Sequence, residues 1–176
     1  MENRYIMTAF GKDRPGIVAD VTQVLYENGC NLEDTTMSML SDEFTINLLF
    51  SSSNDNIEAI LLEGCRNLEQ QKKIAAFIRP LKGVRVKGSA MPRTCTIHVE
   101  GMDQAGIVYK ISRYLADNAL NIVDLKSTIK VTPESGTALY LMDIHVHPPE
   151  SDTMKAFEEG LNIVAEELNI EITVSS

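Results

Sequence analysis

FGKDRPGIVADVTQVLYENGCNLED, from Phe10 to Asp34, and EGMDQAGIVYKISRYLADNALNIVD, from Glu100 to Asp124, are one segment written twice. The offset is 90 residues, without a gap. Identical pairs include Gly11/Gly101, Asp13/Asp103, Gly16/Gly106, Ile17/Ile107, Val18/Val108, Leu25/Leu115, Asn28/Asn118, Asn31/Asn121 and Asp34/Asp124. Glycines, amides and the apolar rhythm all stay in step. Self-similarity at a fixed period decides the architecture before any local reading does.

Working outward, each copy reads strand, helix, strand, strand, helix, strand. In the first, Arg4–Phe10 is an extended apolar run, and Ile17, Val21, Val24 and Leu25 share one face of a helix over Pro15–Asn28. Pro15 suits the first turn and Gly29 the end of that helix. Asn31–Leu40 and Glu43–Ser51 form a hairpin across Ser41 and Asp42. Asp55 with Glu58 reads as a capping box, followed by a helix that turns Ile57, Leu61, Cys65 and Leu68 inward. Ile74–Arg79 closes the unit. The second copy repeats the order: strand Thr94–Glu100, helix Gly106–Asn118, strands Asn121–Val131 and Thr137–His147, a helix from about Ser151, and strand Ile170–Val174. The order βαββαβ predicts an α+β chain of two ferredoxin-like modules, each an antiparallel sheet with both helices on one face. The expected boundaries are 1–80 and 93–176, with a linker over 81–92. In the first strand Tyr5, Met7 and Ala9 alternate with Ile6, Thr8 and Phe10, so both faces are fairly apolar. The face without helices is expected to meet a sister copy or a second chain, giving a homo-oligomer.

Hydrophobic residues make up 44% of the chain and charged residues 23%, enough apolar surface for a core. No stretch approaches the roughly 18 apolar residues of a membrane span, and the start of the chain does not read as a signal peptide. Three cysteines, Cys30, Cys65 and Cys95, are widely spaced without a CxxC. They predict reduced thiols in a cytoplasmic setting rather than a disulfide framework or a zinc ribbon. The net charge is −9. Residues 1–88 hold ten basic and twelve acidic side chains, and residues 89–176 hold six and thirteen. That balance argues against a basic nucleic-acid face.

DRPGIVADVTQVLYENGCNLED and DQAGIVYKISRYLADNALNIVD resemble the opening of ACT domains, small regulatory modules that sense amino acids. The tandem arrangement resembles the group of glycine cleavage system transcriptional repressors, over nearly the whole chain. A similar module also opens formyltetrahydrofolate deformylase. The resemblance implies that the loop before the first helix of one module faces the start of the second strand of its partner. Carried over residue by residue, one candidate ligand site comprises Asp13, Arg14, Pro15, Gly16 and Ile17 with Asn31 and Leu32. The other comprises Asp103, Gln104, Ala105, Gly106 and Ile107 with Asn121 and Ile122. A helix start offers free N–H groups to a carboxylate. Gly16 and Gly106 let a ligand approach the backbone. In ordinary helical geometry Gly16 would tolerate a side chain with modest cost to folding. Asn31 and Asn121 can both donate and accept. The second loop departs from the motif, with Gln104-Ala105 in place of Arg14-Pro15, losing a cation and a rigid turn. The same residues also read as a helix cap and a tight turn with no ligand role.

His98, His145 and His147 form another candidate cluster. His145 and His147 share a strand face, and alternation puts His98 on the face away from the helices, so the three could gather beside Asp143. Zinc motifs of fixed spacing are absent, and polar residues on a sheet face are the expected reading. The sequence holds no nucleophile elbow, phosphate loop or dinucleotide motif. It points to no enzyme, metal or cofactor. The expected function is an amino-acid-responsive regulator, with glycine a candidate ligand. Such a regulator would act on transcription through a DNA-binding protein partner, without direct nucleic-acid or membrane contact. The alternatives are a free-standing sensor that regulates a metabolic enzyme and a ligand-free dimerisation module.

Overall fold

A computed structural model describes residues 3–81, 94–131, 136–147 and 153–175. The chain divides into two compact units. In the first, the elements are β1 (Asn3–Lys12), α1 (Ile17–Glu27), β2 (Asn31–Leu40), β3 (Glu43–Ser52), α2 (Ile57–Asn67), a π-helical turn over Leu68–Lys72, and β4 (Ala75–Leu81). In the second they are β5 (Cys95–Met102), α3 (Ile107–Asp117), β6 (Ile122–Val131), β7 (Ala138–Val146), α4 (Met154–Leu168) and β8 (Ile170–Ser175). Each unit is a four-stranded antiparallel sheet, ordered β2-β3-β1-β4 and β6-β7-β5-β8. This is the ferredoxin-like split βαβ arrangement. Of the expected linker, Leu81 is the last residue of β4, and 82–92 lie outside the described residues. So do 132–135 of the expected β6–β7 turn.

Alternation decides which face is covered. Tyr5, Met7 and Ala9 of β1 are buried with Ile17, Val21 and Leu25 of α1 and Ile57, Leu61 and Cys65 of α2. Ile97 and Val99 of β5 pack in the same way with Ile111 and Leu115 of α3 and Phe157 and Leu161 of α4. On the other face of the first sheet Ile6 and Thr8 are half-buried. Phe10, 44% exposed, stacks on Phe77, 63% exposed, with ring centroids 6.1 Å apart.

The repeat extends to the backbone. Gly16 and Gly106 precede their helices with φ of 88° and 99°, and the residues after the C-caps, Gly29 and Ala119, are left-handed at 64° and 56°. Both second strands carry a bulge, between Leu32 and Asp34 and between Ile122 and Asp124.

Two local expectations are corrected. The first helix begins at Ile17, with Pro15 outside it, because left-handed Gly16 cannot continue a right-handed turn. The capping box at Asp55 and Glu58 does not form. Asn56 is the N-cap, without a side-chain bond, and Asn54 Oδ1 accepts the Asn56 amide at 3.0 Å.

The cysteines are free, Cys65 and Cys95 buried and Cys30 half-buried. Burial raises all three thiols above their ordinary range, Cys65 to about 11. They stay protonated and poorly nucleophilic near neutral pH.

Candidate functional site

The loop between β1 and α1 is pinned at both ends. The Asp13 amide donates to the Asp42 carbonyl at 2.8 Å, tying the loop to the β2–β3 turn, and Ile17 N–H donates to the Arg14 carbonyl at 3.2 Å. The first helical bond runs from Asp20 N–H to the Gly16 carbonyl at 2.9 Å. In the second unit Asp103 N–H donates to Ala138 at 3.2 Å and Lys110 N–H to Gly106 at 2.9 Å. A glycine N-cap brings no side-chain acceptor, and neither helix start has a side-chain cap bond. In the first unit the Ile17 amide is taken by Arg14, so the amides left for an external acceptor are those of Val18 and Ala19.

Asp13, Pro15 and Gly16 are exposed, as are Asp103, Gln104, Ala105 and Gly106. Ile17 and Ile107 are buried in their cores, so they anchor the loops from below. Arg14 folds back and pairs with Asp20, whose other carboxylate oxygen lies 3.5 Å from Lys72 Nζ. The Arg14 guanidinium, aided by Lys72, holds the Asp20 carboxyl below the ordinary carboxylate range against the opposing effect of burial. Asp20 and Lys72 were absent from the sequence-level site. The signal available for them was an acid in the first turn, six residues beyond Arg14. Gln104 does different work from Arg14. Its amide donates to the Leu168 carbonyl at the end of α4.

Asn31 and Leu32 lie far from the loop of their own unit. The register sets Lys12 opposite Glu43 and Asn31 opposite Ser51. These positions are roughly 26 Å apart along β3 at about 3.3 Å per residue. The second unit has the same layout: Met102 pairs with Leu139, and Ile122 pairs with Val146. One module therefore does not bring the loop and the asparagine together. Asn31 and Asn121 are both exposed at the far end.

The histidines part company. His98 Nδ1 lies 2.7 Å from Asp143 Oδ1, and its Nε2 lies 2.9 Å from Ser175 Oγ. His145 Nδ1 stands 3.6 Å from Asp124 Oδ2 instead. Among the described residues no group of three metal-ligating side chains converges. The Asp143–His98–Ser175 chain has the connectivity of a nucleophilic relay. It crosses an open sheet face, where the backbone amides of central β5 are taken by β7 and β8. They are not available as oxyanion donors on that face.

Residues 3–75 match the ACT domain model. The glycine cleavage system transcriptional repressor of Escherichia coli is 26% identical over 170 residues, 97% of this chain and 88% of that protein. A UPF0237 protein of Neisseria meningitidis serogroup A is 39% identical over 80 residues, 44% of this chain and 84% of that one. A crystal structure of a candidate glycine cleavage system transcriptional repressor superposes with a TM-score of 0.72 at 19% identity. It covers 99% of this chain and 97% of its own, and this likeness is one of fold. Residues 3–75 form an ACT domain, and the chain reads as a tandem ACT-domain protein resembling the glycine cleavage system transcriptional repressor.

Proposed function

We propose that this protein is a cytoplasmic, amino-acid-responsive regulator that controls transcription of glycine cleavage or amino-acid metabolism genes through a protein partner. The observation that carries the reading is the pair of glycine-capped helix starts, held in the same left-handed geometry in both modules and open to solvent. A ligand carboxylate completes such a start by accepting from its first-turn amides. The complete site, on this reading, joins the loop of one module to Asn31 or Asn121 of a module in a second copy of the chain, because each sheet holds the two at opposite ends. Assembly into at least a dimer follows from the same reasoning. The Escherichia coli relative supports the transcriptional part of the proposal, and the net charge of −9 supports action through a protein rather than on DNA.

The test is a thermal-stability screen of the full chain against the twenty amino acids, glycine included. A ligand that binds only the folded state raises the melting temperature, increasingly so as its concentration exceeds its dissociation constant. A rise with one or a few amino acids is the expected outcome, and no rise with any at millimolar concentration overturns the reading. In that case the exposed Phe10–Phe77 pair favours the alternative, a ligand-free association module.

A further inference from the structure

The two modules differ most in the groove between their helices. The first helices align at the offset of 90, so Val24 matches Tyr114. The second helices align at 96. Lys73 and Asn169, left-handed at 60° and 51°, then coincide. So do Ile74 and Ile170, the residues against which Gly11 and Gly101 pack. Gly64 thereby matches Gly160, and Leu61 matches Phe157. In each unit that glycine faces the matched side chain. A Cβ on Gly64 would come 2.5 Å from Val24 Cγ1, and one on Gly160 would come 2.2 Å from Tyr114 Oη.

In the second unit the ring of Tyr114 fills the groove. It lies over Gly160, stacks on Phe157 with centroids 6.0 Å apart, and its hydroxyl donates to the Phe157 carbonyl at 2.9 Å. Its half-buried phenol titrates above the ordinary range because burial disfavours the charged form. In the first unit Val24 ends at its methyls. The groove that remains has a volume of about 550 Å³. Val24, Gly64 and Leu68 line it with Ile60, which is 42% exposed. Charges of both signs reach its rim: Lys72, which lies 3.5 Å from Asp20, and the acids Asp20, Glu27 and Glu63, the last 3.1 Å from Arg66. That volume lies within the ~300–1,000 Å³ range of small-molecule sites, with an apolar floor and a polar rim that includes Gln23, Asn28, Asn67 and Gln71.

We propose that the α1–α2 groove of the first module binds a free aromatic amino acid, whose ring packs on Val24, Ile60 and Leu68 as the Tyr114 ring packs on Phe157 in the second module. The lining supplies apolar contact for the ring, and the rim supplies opposite charges for the ammonium and carboxylate groups. The site is separate from the β1–α1 loop, and the proposal does not depend on that loop binding anything.

The experiment is a titration of the full chain, followed by amide NMR, with L-tyrosine and with p-cresol, which is the tyrosine side chain alone. Saturable shifts at the Gly64 and Leu68 amides are expected with both, with Gly106 unmoved by p-cresol. Val24→Tyr, which copies the second module, should abolish them. If that variant does not fold, Tyr114→Val replaces it. Opening the second groove should let p-cresol raise the melting temperature of Tyr114→Val more than that of the wild type. No shift at Gly64 at millimolar ligand overturns the proposal. So does an undiminished shift in folded Val24→Tyr, or an equal response of Tyr114→Val and wild type. A shift with p-cresol and none with L-tyrosine overturns the amino-acid assignment.

Discussion

Arg14, in the loop before α1, closes back onto Asp20 in that helix's first turn, so the cation nearest the candidate site is already neutralised by its own helix. A ligand carboxylate at this loop would meet backbone amides first and Arg14 second. The pair also gives the loop a pH signature. Asp20 titrates below its unfolded value, so its contribution to stability is complete above the ordinary carboxylate range and is lost as pH falls through the lowered value. Arg14→Gln should melt earlier than wild type at pH 7, with the gap closing below about pH 4, the ordinary Asp range. A gap that stays constant down to pH 2 would show that the pair contributes nothing through charge.

Gly16 and Gly106 sit where side chains are strained, not in helical geometry. Gly16→Val and Gly106→Val should each cost about 1–3 kcal/mol of stability. Gly16→Asn should cost less, because Asn tolerates the left-handed region. Urea unfolding of the three variants measures this, and loss of ligand binding in Gly16→Val must be read against it.

Asn31→Ala and Asn121→Ala separate stability from binding, because both residues are exposed at the far ends of their sheets. With the amino acid found in the thermal screen, calorimetry should show binding weakened by about 1–3 kcal/mol where the amide meets a charged ligand group. The asparagine that meets the first module's loop is expected to be the more affected, since the second module's loop lacks Arg14 and Pro15. Unchanged affinity in both folded variants would confine the asparagines to a structural role.

Gly101 is the tighter of the two strand glycines. A Cβ there would come 2.4 Å from Ile170 Cγ2 and 3.2 Å from its Cα, whereas at Gly11 the nearest atom is the Lys73 carbonyl oxygen at 3.0 Å. Gly101→Ala should destabilise the second module by about 1–3 kcal/mol through overpacking. Ile170→Ala in the same chain should recover part of it. Gly11→Ala should cost less, by the same denaturation measurement.

His98→Asn should change stability by no more than about 0.5 kcal/mol, as expected of an exposed sheet-face substitution. Wild type should show no acyl-enzyme burst with p-nitrophenyl acetate. A burst abolished by His98→Asn and by Ser175→Ala would instead make the relay reactive.

The strands were legible because one covered face imposes a period of two, as at Tyr5, Met7 and Ala9. The helix boundaries were less so. Pro15 has the composition of a first turn, but the backbone angle of Gly16 places it outside the helix, and composition does not report φ. The loop residues of the candidate site were legible by repetition. Their separation from Asn31 was not, since it is a property of register along β3. The Arg14–Asp20–Lys72 contact joins a loop, a helix and a π turn that only folding brings together. Tyr114 reads in sequence as one more helical aromatic; its ring matters only beside Gly160.

The strand register steps over one residue in each second strand, Glu33 in the first unit and Val123 in the second, 90 positions apart. A bulge bends its strand and sharpens the local twist, so both second strands turn at the same step. The two modules are one backbone pattern set down twice, with Val24 and Tyr114 placed at the same point of it.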